Sequence, residues 1–524
     1  MEETKYSGSE KWLALAVVVI GTFMSVLNTS IVNIAVPKMM SVFGVSLDSI
    51  KWVLTGYTIA LGTVIPLTAY LMENLGNKRI YVFALSVFTL GSLLCGFAWS
   101  NTSMIIFRVI QAIGGGMIMP VGMALIYQVF PLEERGMALG FWGIAAMAAP
   151  ALGPTLGGYI IEKMGWRLIF SINVPIGIVG IILSMIILNT TPIKKFKPFD
   201  YLGCIYCTIG IVSILYILGV GSSINWNEIK YPILLTIGLV NLLLFVLNEL
   251  KHPYPLLDLR ILKNYNFTMS TIIISILMMA LIGISYVIPL FLQNVRGYTA
   301  MQTGIIMFPA AIITGLTMPI SGYFGDKIPA KLIVIPGLLV LFISSYKLGF
   351  INMDVTTGFI SLMLIFRGVG LGCSMMVVNN IGMNAVEQSE ISNASSLQNT
   401  IRQIASSLSI TIITTMLQSK SNFIYARYTE QINMLNGAAL GTIRQYQGIY
   451  MKMGQSAAEA KSSAVYAIAS ALYKQAYIKA IQYTILSTTI AVLVAVVLAL
   501  FMKTKPIVKD NKDVNLEVAN ATIE

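Results

Sequence analysis

Apolar runs of about twenty residues, separated by short polar connections, recur along nearly the whole chain. A bilayer core ~30 Å thick needs roughly 20 apolar residues in a helix that rises ~1.5 Å per residue. Fourteen runs reach that length: 12–36, 50–72, 80–99, 103–129, 136–161, 167–188, 201–220, 230–248, 267–291, 301–323, 332–350, 356–379, 401–418 and 477–502. Backbone groups in lipid must be satisfied within each segment, so every run is expected as an α-helix. The pattern predicts an all-α, multi-pass membrane protein.

Composition agrees with the pattern. The 524 residues are 56% hydrophobic and only 11% charged, whereas a soluble domain carries about 25% charged residues. The net charge of +12 would raise nucleic acid as a partner in a soluble protein. Here Lys78, Arg79, Lys194, Lys195, Lys197, Lys327 and Lys331 cluster in connections on one side of the apolar runs. They are expected to touch lipid headgroups and set topology, not to bind nucleic acid. The basic bias puts that side, and both termini, in the cytoplasm of a cell (plasma or inner) membrane protein. Residues 419–476 form a long outer loop in this reading, and 507–524 a disordered cytoplasmic tail. The run 12–36 is too long for a cleavable signal.

The chemistry of an enzyme is missing. Cys95, Cys204, Cys207 and Cys373 all sit in apolar runs, and Cys204-x-x-Cys207 has no further ligands beside it. The single histidine, His252, lies in a polar connection, which excludes a histidine proton relay and a Ser/His/Asp set. No G-x-x-x-x-G-K-[ST] loop is present, so ATP is not expected to drive this chain alone. No metal or cofactor is expected.

An internal repeat organises the spans. Ala69-Tyr-Leu-Met-Glu73-Asn-Leu-Gly76-Asn-Lys78-Arg79 joins the second and third. Gly322-Tyr-Phe-Gly-Asp326-Lys327-Ile-Pro-Ala-Lys331 joins the tenth and eleventh. Each has a small residue four before an acid, then bases. Phe107-Arg108 in the fourth span matches Phe366-Arg367 in the twelfth. Spans 1–6 and 9–14 thus read as two copies of one unit, with spans 7 and 8 between them. This predicts an N-terminal bundle (1–190), a linker with two helices (191–263) and a C-terminal bundle (264–506). Paired bundles around a midplane site are the architecture of alternating-access carriers.

These residues resemble the major facilitator superfamily, and more narrowly its fourteen-spanning QacA/EmrB-type drug/proton antiporters. The resemblance rests on Leu27–Pro37 in span 1, Glu73–Arg79, and Arg108. It extends to Gly140-x8-Ala149-x3-Gly153-Pro154-x2-Gly157-Gly158 in span 5, Trp166–Gly177, Pro289–Gln293 and Ala394–Gln403. It implies two pseudo-symmetric six-helix bundles plus two linker helices, and multidrug efflux by proton antiport. The cavity-lining helices of that superfamily carry Asn28, Asn33, Tyr57, Arg108, Gln111, Tyr286 and Asn379 here, as candidate substrate-binding and coupling residues.

Gating is expected from two groups. In span 5, Gly140, Gly153, Gly157 and Gly158 allow close helix approach, and Pro154 removes a backbone donor. In the connections, Glu73, Gly76, Lys78, Arg79, Asp326 and Lys327 can latch one state by pairing with bases or capping helix N-termini. The first connection departs from the family pattern with Ala69 for glycine and Glu73 for aspartate.

Arg108 and Arg367 resist explanation as packing, since a mid-bilayer arginine costs about 2.5–3.5 kcal/mol; such residues usually face a cavity. No Asp or Glu stands at the centre of any span, and Asn28 occupies the place of the family's span 1 aspartate. An amide cannot take up a proton near neutral pH. The leading expectation is proton-driven export of amphipathic small molecules. The alternative is a specific exporter of a neutral or anionic metabolite or lipid-like molecule without proton coupling. A transport-dead sensor or scaffold is the third. A periplasmic adaptor is expected only if the host has an outer membrane.

Overall fold

The structure, a computed structural model, describes residues 8–190, 197–221, 224–430 and 437–503. The expected tail 507–524, and Lys194 and Lys195, lie outside the described residues. Those described fold into helices with no strand among them. The first half contains α1 (Glu10–Phe43), α2 (Leu47–Leu75), α3 (Asn77–Gly96), α4 (Asn101–Val129), α5 (Arg135–Lys163), α6 (Leu168–Ser171) and α7 (Asn173–Ile187). Two helices follow, α8 (Tyr201–Val220) and α9 (Lys230–Lys251). The second half contains α10 (Tyr265–Leu290), α11 (Ala300–Gly325), α12 (Lys331–Leu348), α13 (Thr357–Asn384), α14 (Ile391–Glu430), α15 (Gly437–Lys452) and α16 (Ala457–Phe501).

Twelve helices among the described residues are long and apolar enough to cross a membrane. In that count the short α6 and α7 act as one span, Leu168–Ile187. Helices α5 and α14 are as long as the rest and pack among them.

Side-chain capping fixes several starts. Ser100 and Ser103 form a reciprocal capping box at α4, as do Thr299 and Gln302 at α11 and Ser456 and Glu459 at α16. Gly76, with φ +85°, is the whole connection between α2 and α3. A side chain there would strain a backbone that glycine adopts freely.

The repeat seen in the sequence reappears as packing. α1 lies against α4, α5 and α7, just as α10 lies against α13, α14 and α16. α2 and α3 lie on α4, as α11 and α12 lie on α13, and α3 meets α7 as α12 meets α16. The halves join by equivalent pairs, α5 on α11 and α14 on α2. The α8–α9 pair sits beside the second of these seams, with α8 against both α2 and α14.

Two expectations are corrected. The span expected at 401–418 is the middle of α14, which begins at Ile391 and runs 40 residues. Burial of its first turns against α4 and α10 overrides the polar run Ser395–Gln403 that obscured it. The expected outer loop 419–476 is largely helical: α14 continues to Glu430, α15 follows, and α16 starts at Ala457. At ~1.5 Å per residue α14 is ~60 Å long and α16 ~67 Å, about twice the hydrocarbon thickness. Both project past one face, where Tyr425 of α14 meets Tyr473 of α16 with ring centroids 5.7 Å apart.

Candidate functional site

Four of the expected site residues converge inside the first half. Arg108 on α4 donates to the Gln111 side-chain oxygen at 2.7 Å, one turn on. The Gln111 amide donates to Ser92 Oγ at 2.6 Å and to Asn28 Oδ1 at 3.3 Å. Arg108 Nε reaches the Val53 carbonyl at 3.4 Å, and its guanidinium stacks 3.8 Å from the Tyr57 ring centroid. That contact places a desolvated cation over a ring face. Arg108, Gln111, Asn28 and Tyr57 are each no more than 1% exposed. Asn28 Nδ2 and Tyr57 OH are buried without a hydrogen-bond partner.

The other three stand apart. Asn33 is exposed on α1 and donates back to the Thr29 carbonyl. Tyr286 is exposed on α10. Asn379 is buried on α13, one residue before Asn380, and it is Asn380 that reaches the seam between the halves through Tyr127 of α4.

That seam is sealed at the end where α11 finishes and α5 begins. A Cβ on Gly136 would lie 2.4 Å from the Gly322 carbonyl oxygen, and one on Gly140 2.3 Å from Pro319 Cα. Backbone therefore touches backbone between α5 and α11. Asp326, 5% exposed, accepts from the Gly136 N–H at 3.1 Å and from the Asn380 amide at 2.8 Å. Burial pushes its carboxyl up to about 7; the Gly136 and Asn380 donors and Arg135 oppose the rise, and Glu133 adds to it. Arg135 reaches across to Asn384 Oδ1 at 3.0 Å and Gln388 Oε1 at 2.9 Å. Ser395 donates to the Pro120 carbonyl at 2.7 Å.

Glu73 performs the equivalent task at the second seam. Its carboxylate accepts from Asn393, in the first turn of α14, at 2.6 Å. It also pairs with Lys197 at 2.6 Å, which ties the start of the linker to α2. Its partner is thus Lys197, not the adjacent Lys78 or Arg79. Lys78 donates to the Met185 carbonyl, Arg79 is exposed, and Lys327 meets the Tyr323 hydroxyl. The span 5 glycines divide: Gly140 lies at the seam, whereas Gly153 and Gly157 press on Ser30 and Ile31 of α1 within the same half. Gly158 has open space around it. Pro154 lies within α5, which continues through it.

Two clusters escaped the sequence reading. On α14, Arg402 is 9% exposed and meets Asn399 Oδ1 and, at 3.7 Å, Met119 Sδ of α4. Gln398, one turn earlier, is 2% exposed with neither side-chain polar atom partnered. The residues were visible in the Ala394–Gln403 motif, but the hydropathy boundary placed half of them outside the helix.

On the α8–α9 pair, Glu249 is fully buried. One oxygen accepts from the Leu257 N–H at 3.0 Å and the other has no partner. Asp200 caps α8 through the Gly203 N–H at 2.7 Å and accepts from Asn248 at 2.5 Å. A Cβ on Gly203 would lie 2.4 Å from Asp200 Oδ2 and 2.5 Å from Glu249 Oε1, so two carboxylates flank one point. The span expected to stop at residue 248 runs to Lys251, which brings Glu249 inside.

The Major Facilitator Superfamily family model matches residues 18–410. A Bacillus subtilis (strain 168) protein named "Uncharacterized MFS-type transporter YhcA" is 37% identical over 421 residues, covering 80% of this chain and 78% of that one. The "Multidrug export protein EmrB" of Escherichia coli (strain K12) is 30% identical over 440 residues, covering 83% of this chain and 86% of its own length. Among solved structures, the human organic anion transporter MFSD10 (TETRAN) superposes with a TM-score of 0.61 at 10% identity, covering 93% of this chain and 99% of that one. That likeness is one of fold.

Proposed function

The chain belongs to the Major Facilitator Superfamily, a transporter and not an enzyme, and from that premise we propose that it exports amphipathic small molecules by alternating access, driven by proton antiport. The observation that carries this reading is the α5–α11 seal. It closes one face through backbone contacts and one buried carboxylate, Asp326, shared between the halves. Opening that face separates Asp326 from Gly136, so the seal and the protonation of one group are linked. One proton moving down 100 mV supplies about 2.3 kcal/mol, enough for a roughly fifty-fold gradient. Asp326 and the Asp200–Glu249 pair are the buried carboxylates placed to carry it, since Asn28 cannot.

In this reading the sealed face is cytoplasmic, as the basic residues there require, and both termini lie on that side of the cell membrane. Fourteen helices span, with α5 and α14 included. Residues 1–190 and 264–506 are the moving bundles and 191–263 the linker. EmrB-like relatives of this length and identity support a drug-like substrate range. An adaptor enters only where a host has an outer membrane.

A second reading has its own support. Among the described residues no ion pair involves Arg108, Arg367 or Arg402. Arg367 donates to the Ala280 carbonyl at 2.7 Å and leaves Nε without a partner. Buried cations without acids suit an anionic cargo and need no proton.

Dye efflux from inverted vesicles, with and without an imposed pH gradient, separates the two. Efflux that collapses with the gradient supports antiport. Efflux indifferent to the gradient overturns it and leaves the specific carrier.

A further inference from the structure

Helix α14 is too polar to be explained by packing alone. Ser395, Ser396, Gln398, Asn399, Thr400 and Arg402 crowd its first turns, and all are buried. A helix interior to a bundle bears such a face where it meets water or a ligand. Some of the groups have protein partners: Ser395 bonds to Pro120 and Thr400 to the Ser396 carbonyl. Gln398 has none at either end of its amide, and Ser396 Oγ is also unpartnered as an atom in its own right.

Gln398 and Arg402 lie four residues apart, so they share one face of α14. Arg402 has five N–H donors, met here by an amide oxygen and a thioether sulfur of α4. Neither is an anion. A buried charge without a counter-charge is strongly unfavourable. A guanidinium in a buried, partly thioether-lined site fits a planar carboxylate through two parallel hydrogen bonds. The Gln398 amide adds a donor on the same face. Met119 and Met123 flank the position and offer adaptable apolar contact.

We propose that Arg402 and Gln398 bind the carboxylate head of an amphipathic monoanion, whose apolar part lies against the methionines of α4. One guanidinium compensates one charge, which favours a monoanion over a phosphate. The site spans the halves, α14 from one and α4 from the other, so its occupant would sense the α2–α14 seam. This deepens the export reading and rests on it for its role as cargo site.

The test uses the full chain in phosphatidylcholine nanodiscs, with dansyl-labelled undecanoate and its uncharged primary amide as probes. The carboxylate is expected to bind at least about tenfold more tightly than the amide, as a charge-assisted pair requires. Arg402→Gln should abolish that preference, and Arg402→Lys should retain part of it. Gln398→Leu should weaken the carboxylate several-fold. Without ligand, Arg402→Gln should melt no lower than the wild type, since it removes an uncompensated charge; a purely structural arginine would give a lower melting temperature. Equal binding of carboxylate and amide by the wild type, or a preference that survives Arg402→Gln, overturns the proposal. So does displacement of the probe by phosphatidylglycerol in the discs through Arg402, which would make this a lipid headgroup site. Binding that persists while vesicles show no efflux would overturn export and leave the site standing.

Discussion

Gln111 holds three groups with one amide: its oxygen takes the Arg108 guanidinium, and its nitrogen serves Ser92 and Asn28. Gln111→Leu keeps the volume and removes all three bonds. It leaves a buried arginine with a backbone carbonyl and a ring face as its neighbours. The expected outcome is a loss of about 1–3 kcal/mol of stability, read as a lower thermal-unfolding midpoint in detergent. The Arg108–Gln111 pair was legible in the sequence, because a spacing of three on one helix brings side chains together. The approach of Asn28, from a helix eighty residues away, was not. Its inclusion came from resemblance, and only folding puts it beside Gln111. Glu249 was missed for a smaller reason: hydropathy ended its helix three residues early, at 248, so Glu249 fell just outside it, and a buried acid is what ends a hydropathy run.

Between elements, the seam of α5 and α11 is set by glycines that leave no room for a methyl group. Gly136→Ala would drive a Cβ into the Gly322 carbonyl and to 2.6 Å from Asp326. Spin labels at Leu132 and Ser389, exposed on the two connections beside the seal, should report a longer and broader distance distribution in that variant. Efflux should fall at unchanged expression.

The same labels report the pH dependence. A solvated aspartate titrates near 3.9, and burial raises Asp326 to about 7. Below both values the carboxyl is neutral whether the seam is open or closed. Between them only the closed form holds the proton, so closure loses ground as pH rises through that window and levels off above about 7. The closed population should therefore be larger at about pH 5.5, inside that window, than at about pH 8, above it, in the wild type. In Asp326→Asn the difference should vanish. A wild-type distribution indifferent to pH would rule this linkage out.

At the scale of the molecule, the twofold plan was legible because two short motifs recur in the same order, and the main helix contacts within each half follow that order. What stayed hidden was the course of α14. Serine, asparagine and glutamine at its start read as a connection, and a helix that keeps these groups inside a bundle has no apolar signature to find. The polar segment beyond α14 was hidden likewise, since α15 and the first turns of α16 are held by capping and mutual packing. Because α15 packs on α16 and not into either bundle core, excision of residues 437–452 should leave the melting temperature of the remainder within a few degrees. A thermal-shift assay on the purified variant checks this.

Helix α14 is continuous from Gln398 and Arg402 to Glu430, some thirty residues farther along a rigid rod. Its distal end is a lever arm with its fulcrum among the packed helices. An antibody fragment that grips Phe423 on that end and Tyr473 of the adjoining α16, both exposed, would hold the rod at a fixed tilt. It would thereby arrest the motion of the halves from the projecting end alone, without reaching the residues buried between them.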